Sequence, residues 1–348
     1  MTTMRTIGLR YLRAAVVLCV PGCFGPQPPD RLADTGLAAT GTQGGETGES
    51  SETSGGVEGD TQASVDESSS GADVELRSAR LQIDGLGTLS GGFHYELWAI
   101  IDNFAATVGK FNVDGGQVVV DLRGIAVPDA TFDAGRDLRT ATSFVVTIET
   151  AGDVDITPGV SKYVAGPLED GQSLMVVQSS QTLGDYSGAS GQFILATPTD
   201  STDVTEEAGV WWLDLSVEPP APGLMLPELP EGWEYEGWAV IDGTPVSTGR
   251  FRDVNAADFG NPFSGLERGP MVPGEDLLDN APKGLEFPAD LRGQSVVVTI
   301  EPEPDFDDGP FTLRPLTADV DPMAATMQSM SMTLQIETFP TATVVLVE

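Results

Sequence analysis

The chain has 348 residues, with 17 Lys and Arg against 53 Asp and Glu, and a formal net charge of −36 at pH 7. So negative a protein repels phosphate backbones and offers no basic stripe, which argues against nucleic acid as a partner and against electrostatic docking on anionic lipid. At roughly 150 residues per domain, the length predicts about two domains.

The N-terminal segment has the layout of a bacterial lipoprotein signal peptide. Three arginines in the first 13 residues precede a short apolar run over 14–20, the order found in secretory signals. Val20-Pro21-Gly22-Cys23 resembles a lipoprotein processing box, which places an aliphatic residue three positions before the lipidated cysteine and a small residue directly before it. Cys19 fits this pattern less well, so we predict a signal peptide over 1–23 and a lipid anchor on Cys23.

Residues 24–75 predict a disordered, acidic tether. The segment is rich in Gly, Ser, Thr and Glu and has few apolar side chains, so it cannot bury enough surface to offset its chain entropy. A flexible coil of this length spans on the order of 40 Å. Together, these features predict a protein held to a membrane of the bacterial cell envelope by acyl chains, facing the periplasm or the cell exterior.

The rest of the chain contains one pattern twice. Three segments of the first copy recur in the second, and self-similarity at a nearly fixed spacing indicates a duplicated folding unit. The pairs are HYELWAII (94–101) with EYEGWAVI (234–241), TVGKF (107–111) with STGRF (247–251), and FVVTIET (144–150) with VVVTIEP (296–302). We predict copy one over 76–203 and copy two over 204–348.

Short runs rich in β-branched and aromatic residues, separated by Gly, Pro and Asp, predict strands in both copies. The predicted strands are 80–86, 93–102, 106–114, 117–122, 143–149, 162–168 and 192–198 in copy one, and 209–216, 234–242 and 296–302 in copy two, followed by a hairpin of 333–339 with 341–348. The stretch 252–292 reads as a long loop. The predicted fold class is all-β, with two tandem β-sandwich-like domains.

Some side chains recur at equivalent positions, which indicates shared scaffolding. These structural repeat positions are Tyr95, Trp98, Phe111 and Glu149 in copy one and Tyr235, Trp238, Phe251 and Glu301 in copy two. Glu96 with Glu236 and Asp102 with Asp242 recur as well. We expect the repeated carboxylates to pair with backbone groups or with Lys110 and Arg250, and we expect both tryptophans to be buried on central strands.

These motifs resemble the extracytoplasmic C-terminal domain of the RskA-type anti-sigma-K factors. That family pattern runs Tyr-x-Leu-Trp, Gly-x-Phe and Val-Thr-x-Glu. Copy one supplies all three motifs, whereas copy two has Gly237 in place of the leucine. Family members carry a cytoplasmic sigma-factor-binding segment and a transmembrane helix ahead of this domain, where this sequence has its predicted signal and tether. The resemblance therefore implies a fold and an extracytoplasmic setting, and not sigma-factor regulation.

The scarcity of histidine and cysteine and the lack of known catalytic motifs argue against the common kinds of enzyme active site. His94 is the only histidine, and its counterpart in copy two is Glu234. No nucleophile elbow, phosphate-binding loop or dinucleotide fingerprint is present, so no cofactor is predicted. One histidine, with no cysteine after residue 23, also argues against a zinc site.

Acidic clusters remain as candidate sites. Asp305, Asp307 and Asp308 are weak calcium candidates because calcium prefers oxygen ligands, and Asp153 with Asp155 occupies the equivalent region of copy one. The favoured function is a non-enzymatic, lipid-anchored protein with a binding or envelope-sensing role toward a protein or glycan. The alternatives are a secreted hydrolase that uses two carboxylates in a cleft, and a calcium-dependent adhesion or binding module.

Overall fold

The computed structural model describes residues 75–202 and 204–348. The predicted signal peptide, Cys23 and the tether lie outside the described residues. No helix within the described ranges is long and apolar enough to cross a membrane.

The fold class is all-β, which confirms the prediction. Apart from short 3₁₀ turns at Pro128–Ala130, Glu206–Ala208 and Ile336–Thr338, the regular elements are strands. They are β1 (Ser78–Asp84), β2 (His94–Ile101), β3 (Phe104–Val113), β4 (Val119–Val120), β5 (Thr131–Asp133), β6 (Ala141–Glu149), β7 (Lys162–Pro167), β8 (Gln172–Val176), β9 (Ser190–Leu195), β10 (Gly209–Trp211), β11 (Leu213–Asp214), β12 (Ala221–Pro222), β13 (Leu224–Met225), β14 (Trp233–Ile241), β15 (Thr244–Phe251), β16 (Gly274–Asp276), β17 (Ser295–Pro302), β18 (Leu316–Asp319), β19 (Met330–Ser331), β20 (Thr333–Leu334) and β21 (Thr341–Val347).

The first repeat is built on a nine-stranded sheet in the order β4-β3-β2-β6-β7-β8-β21-β1-β5, with antiparallel pairing throughout. The sheet curls until β5 packs against β3, where the rings of Phe111 and Phe132 lie 5.9 Å apart. Gly109 permits this approach, because a Cβ at that position would lie 2.3 Å from a ring carbon of Phe132.

The central strand β2 is covered on both faces. Tyr95, Leu97 and Ala99 face the main core, whereas Glu96 and Trp98 point to the opposite face, and all five are buried. A strand buried on both faces needs apolar residues, or satisfied polar ones, at consecutive positions. This is why the doubly apolar sequence pattern correctly predicted a central strand.

The second repeat reproduces the same three-strand unit. β14 pairs with β15 and β17 as β2 pairs with β3 and β6, and both central strands have a register shift directly before the tryptophan, at Leu97/Trp98 and at Gly237/Trp238. Trp98 and Trp238 are both buried, as expected. The duplication seen in the sequence is therefore a duplication of strand pairing and register.

The two repeats do not separate at the predicted boundary. The last strand, β21, pairs with β1 and β8 of the first repeat, and β9, assigned to copy one by the sequence, pairs with β10, β13 and β19. One hydrophobic core contains residues of both repeats, and the described residues 75–202 and 204–348 belong to a single compact unit. The structure thus corrects the assignment of 76–203 and 204–348 to two independent domains.

The prediction of a C-terminal hairpin is also wrong. β20 pairs with β18, whereas β21 crosses to the nine-stranded sheet. Both segments alternate apolar and polar residues and are separated by Pro340, and this local pattern does not distinguish a hairpin from two strands that join different sheets. The stretch 252–292 has one short strand, β16, in agreement with its prediction as a long loop.

Candidate functional site

The outer face of each central strand carries a cluster of polar side chains. Because alternate residues of a strand share a face, His94, Glu96 and Trp98 lie together in repeat one, and the loop from β6 to β7 lies beside them. The equivalent positions in repeat two are Glu234, Glu236 and Trp238. The sequence repeat therefore places one polar constellation in the molecule twice.

In repeat one, Lys110 lies between two carboxylates. Its Nζ is 3.3 Å from Oε2 of Glu96 and 2.9 Å from Oδ2 of Asp153. The hydroxyl of Thr107 donates to the other oxygen of Glu96. Burial opposes ionisation of Asp153, but the hydrogen bonds from Lys110 and from the Asp155 amide outweigh it and lower the pKa of Asp153.

His94 completes this cluster and is 3% exposed. A ring N–H of His94 donates to the carbonyl of Gly92, and its Nε2 has no hydrogen-bond partner. The donor is therefore Nδ1, which leaves a lone pair on Nε2. Burial, followed by the nearby charge of Lys110, lowers the pKa of His94 below its ordinary 6.5, so the ring is neutral at pH 7.

In repeat two, Arg250 takes the place of Lys110 and contacts three carboxylates. Its guanidinium lies 3.4 Å from Glu234 and 3.2 Å from Glu236, and it also pairs with Asp305. Ser247 donates to Glu236 as Thr107 does to Glu96. Burial raises the pKa of Glu234, Glu236 and Asp305 even so, because one cation serves three acids.

Next to each cluster, both repeats also contain a series of three hydrogen-bonded side chains. Trp98 Nε1 donates to Thr147 Oγ1 at 2.9 Å, and Thr147 donates to Glu149, which also accepts the amide of Gly159 at 2.8 Å. Repeat two has the same Trp238–Thr299–Glu301 order, in which Glu301 accepts the amide of Phe311 at 2.9 Å. Each glutamate thus connects its strand to the loop that covers it. These bonds are the pairing with backbone groups that the sequence predicted for the repeated carboxylates.

The remaining repeat positions are structural. Tyr95 donates to the carbonyl of Gly87 and Tyr235 to that of Pro227, each at 2.8 Å and each eight residues back. Phe111 stacks on Tyr95 and Phe251 on Tyr235, with centroids 5.4 and 5.6 Å apart. Asp102 and Asp242 have φ near +50° in the turns that follow the central strands.

The two clusters open into adjoining acidic hollows at the junction of the repeats. One hollow, of about 660 Å³, is lined by Arg250 and by carboxylates of repeat two; the other, of about 210 Å³, combines the 149–161 segment with Glu303 and Pro304, which line both hollows. We call this surface the junction groove. Its charged lining residues are Glu149, Asp153, Asp155, Glu234, Arg250, Glu303, Asp305, Asp307 and Asp308.

The calcium candidates do not converge as a ligand set. Asp305 pairs with Arg250 and accepts the amides of Phe306 and Asp307, and Asp307 accepts the amide of Gly309 at 2.9 Å. The group of acidic and imidazole side chains with metal-binding proximity in the described chain is instead His94, Glu96 and Asp153, whose ligand atoms lie within 4.8 Å of one another. The sequence analysis did not assemble this group, although it placed Asp153 in the region equivalent to Asp305.

Sequence reasoning also missed a buried acidic cluster in the long loop of repeat two. Glu275 and Asp276 are fully buried on β16, and burial raises the pKa of Glu275 to about 8 and that of nearby Asp258 to about 6. Asp276 accepts hydrogen bonds from Thr199 and from Trp211 Nε1, the latter at 2.7 Å. None of these carboxyls lines the junction groove.

Comparison with protein-family models, with curated proteins and with solved structures found no match for this chain.

We predict that stability falls as the pH rises toward 8 because of Glu301. Burial raises its pKa from 4.5 to about 8, so between these values the native state binds a proton that the unfolded state releases. The contribution is complete below about pH 4.5 and is lost as the pH rises through 8. The free energy of unfolding, measured with denaturant between pH 5 and 8, should therefore depend less steeply on pH in Glu301→Gln than in the parent chain. The difference in slope is up to about 1.4 kcal/mol per pH unit.

The exposed Asp170 provides the control. Asp170→Asn removes one carboxyl group from an exposed position, so the pH slope of Glu301→Gln is compared with the slope of this variant. An unchanged slope in Glu301→Gln would contradict a protonated Glu301 in the native state.

Proposed function

We propose that this chain is a non-enzymatic, lipid-anchored extracytoplasmic protein that binds a Lys- and Arg-rich peptide segment in the junction groove. The observation that carries the proposal is the charge of the groove, where eight carboxylates and one guanidinium are contributed by both repeats. Such a surface concentrates cations and attracts positively charged partners over distances up to the Debye length.

The state of the groove carboxylates supports binding rather than hydrolysis. Asp153 pairs with Lys110, Glu234 and Asp305 pair with Arg250, and Glu303 pairs with Arg252. A hydrolase of the carboxylate type needs one acid to donate a proton and another to act on the opposite face of the substrate. The ion pairs commit these four acids to resident cations, and the exposed carboxylates of Asp155, Asp307 and Asp308 are left to contact a cationic partner.

The setting of the proposed activity comes from the sequence. The processing box at Cys23, the acidic tether and the likeness of both repeats to the RskA-type extracytoplasmic domain support a protein displayed from a membrane of the bacterial envelope. In this proposal the acyl chains hold the protein, the tether sets its reach, and the groove is the recognition surface.

The groove is tested with fluorescently labelled octalysine and the full chain at low ionic strength. Asp307→Asn combined with Asp308→Asn should weaken binding at least fivefold, because both side chains lie at the rim. The matched control is Asp84→Asn combined with Asp170→Asn, which removes the same charge from exposed sites outside the groove. Since any polycation is drawn to a chain of this net charge, equal weakening by both pairs would show diffuse attraction and contradict the groove proposal.

The anchor is tested independently by radiolabelled fatty acid. Cys23→Ser should abolish incorporation of label into the protein in a bacterial host, and Cys19→Ser should leave it unchanged. Undiminished labelling of Cys23→Ser would refute the assignment of this cysteine.

A further inference from the structure

The two polar clusters share a scaffold and differ in a coordinated way at two positions. Repeat one has His94 and Lys110 where repeat two has Glu234 and Arg250. The central glutamate and the loop aspartate are common to both. The difference changes the donor set from three carboxylates around a guanidinium to an imidazole and two carboxylates around an ammonium.

Two buried ligand atoms of repeat one lack hydrogen-bond partners. Nε2 of His94 and Oε2 of Glu96 make no hydrogen bond, although their residues are 3% and 1% exposed. The ammonium of Lys110 forms an ion pair with that oxygen at a distance of 3.3 Å. Buried polar atoms in native proteins are nearly always paired, so a buried imidazole nitrogen without a partner, next to a carboxylate oxygen held only by an ion pair, needs a physical reason.

We propose that His94, Glu96 and Asp153 form a binding site for a divalent transition-metal ion of the zinc class. The ammonium of Lys110, which now lies between the two carboxylates, competes with the metal ion for this site. The ligand atoms of the three side chains already lie within 4.8 Å of one another. Imidazole nitrogen and carboxylate oxygens are ordinary zinc ligands, and the imidazole disfavours calcium, which prefers an all-oxygen shell.

The surroundings of His94 fit this role. Metal-bound histidines commonly donate their second ring N–H to a carbonyl or carboxylate, which fixes the tautomer and orients the ring. His94 donates to the carbonyl of Gly92 in this way, which leaves Nε2 directed to the cluster of Glu96 and Asp153. Thr107 likewise orients Glu96 through its other oxygen.

Lys110 can yield its place because it is a single charge on a flexible stem. Its side chain is 26% exposed and contacts two acids, so the ammonium can turn toward solvent while remaining near Asp153. Arg250 contacts three acids with a planar guanidinium, and its fork geometry holds them more firmly. Repeat two thus provides an internal control that has the same scaffold and no imidazole.

The affinity test uses calorimetric titration of Zn²⁺ into the full chain without a histidine tag. Cys19→Ser and Cys23→Ser form the parent background, so that no thiol competes for the ion. We expect one Zn²⁺ per chain. His94→Gln and Lys110→Arg should each weaken binding at least tenfold, and Glu234→Gln, the equivalent change in repeat two, should leave it within twofold of the parent.

The site itself is tested by NMR, because the chain has a single histidine. Adding Zn²⁺ should shift the Nε2 resonance of His94, while Nδ1 stays protonated. This readout does not depend on variant folding or on octalysine binding, so it can fail while the groove proposal stands, and the reverse also holds. Absence of Zn²⁺ binding at millimolar concentration, or stoichiometric binding with unchanged His94 resonances, would overturn the inference.

Discussion

The structure depends on where the last strand of the chain lies. β21 enters the middle of the nine-stranded sheet, between β8 and β1, and buries Ala342 and Val344 there. Without it, two strands of repeat one would present unpaired edges, which proteins avoid because such edges recruit other strands. Repeat one is therefore complete only when the end of repeat two has returned to it.

Because β21 joins the two repeats, the surface at their junction is held by direct packing between them. Tyr163 lies at the junction, with its ring 5.8 Å from Tyr95 of repeat one and 6.0 Å from Trp233 of repeat two. Its hydroxyl hydrogen-bonds Thr312 at 2.8 Å. Because this packing fixes the 149–161 segment beside the 303–308 segment, the acidic side chains of both repeats form one groove.

The outer face of the central strands shows how one scaffold carries different chemistry. A buried carboxylate is costly unless it is paired and hydrogen-bonded, and each repeat meets this cost with a hydroxyl and a cation from the neighbouring strand. Lysine and arginine satisfy the requirement to different degrees. In repeat two the cation contacts three acids. In repeat one it contacts two, and the buried Nε2 of His94 has no hydrogen-bond partner.

Local patterns predicted the local features of this fold. The doubly apolar run around Trp98 indicated a central strand, and the recurrence of Glu96 with Lys110 and of Glu236 with Arg250 indicated the ion pairs that the structure contains. The destination of β21 could not be predicted, because its alternating pattern suits any half-buried sheet position. The approach of Asp153 to His94 depends on how the 150–161 loop folds over the sheet, which strand periodicity does not encode.

The central claim, that both repeats form one cooperative unit, is tested most directly by calorimetry of the full chain carrying Trp98→Ala or Trp238→Ala. Truncation of a buried tryptophan typically costs ~3–5 kcal/mol. With a shared core, each variant should lower the melting temperature of the same single transition, with calorimetric and van't Hoff enthalpies in agreement. Two transitions, of which each variant shifts only one, would show that the repeats fold independently and would contradict this account.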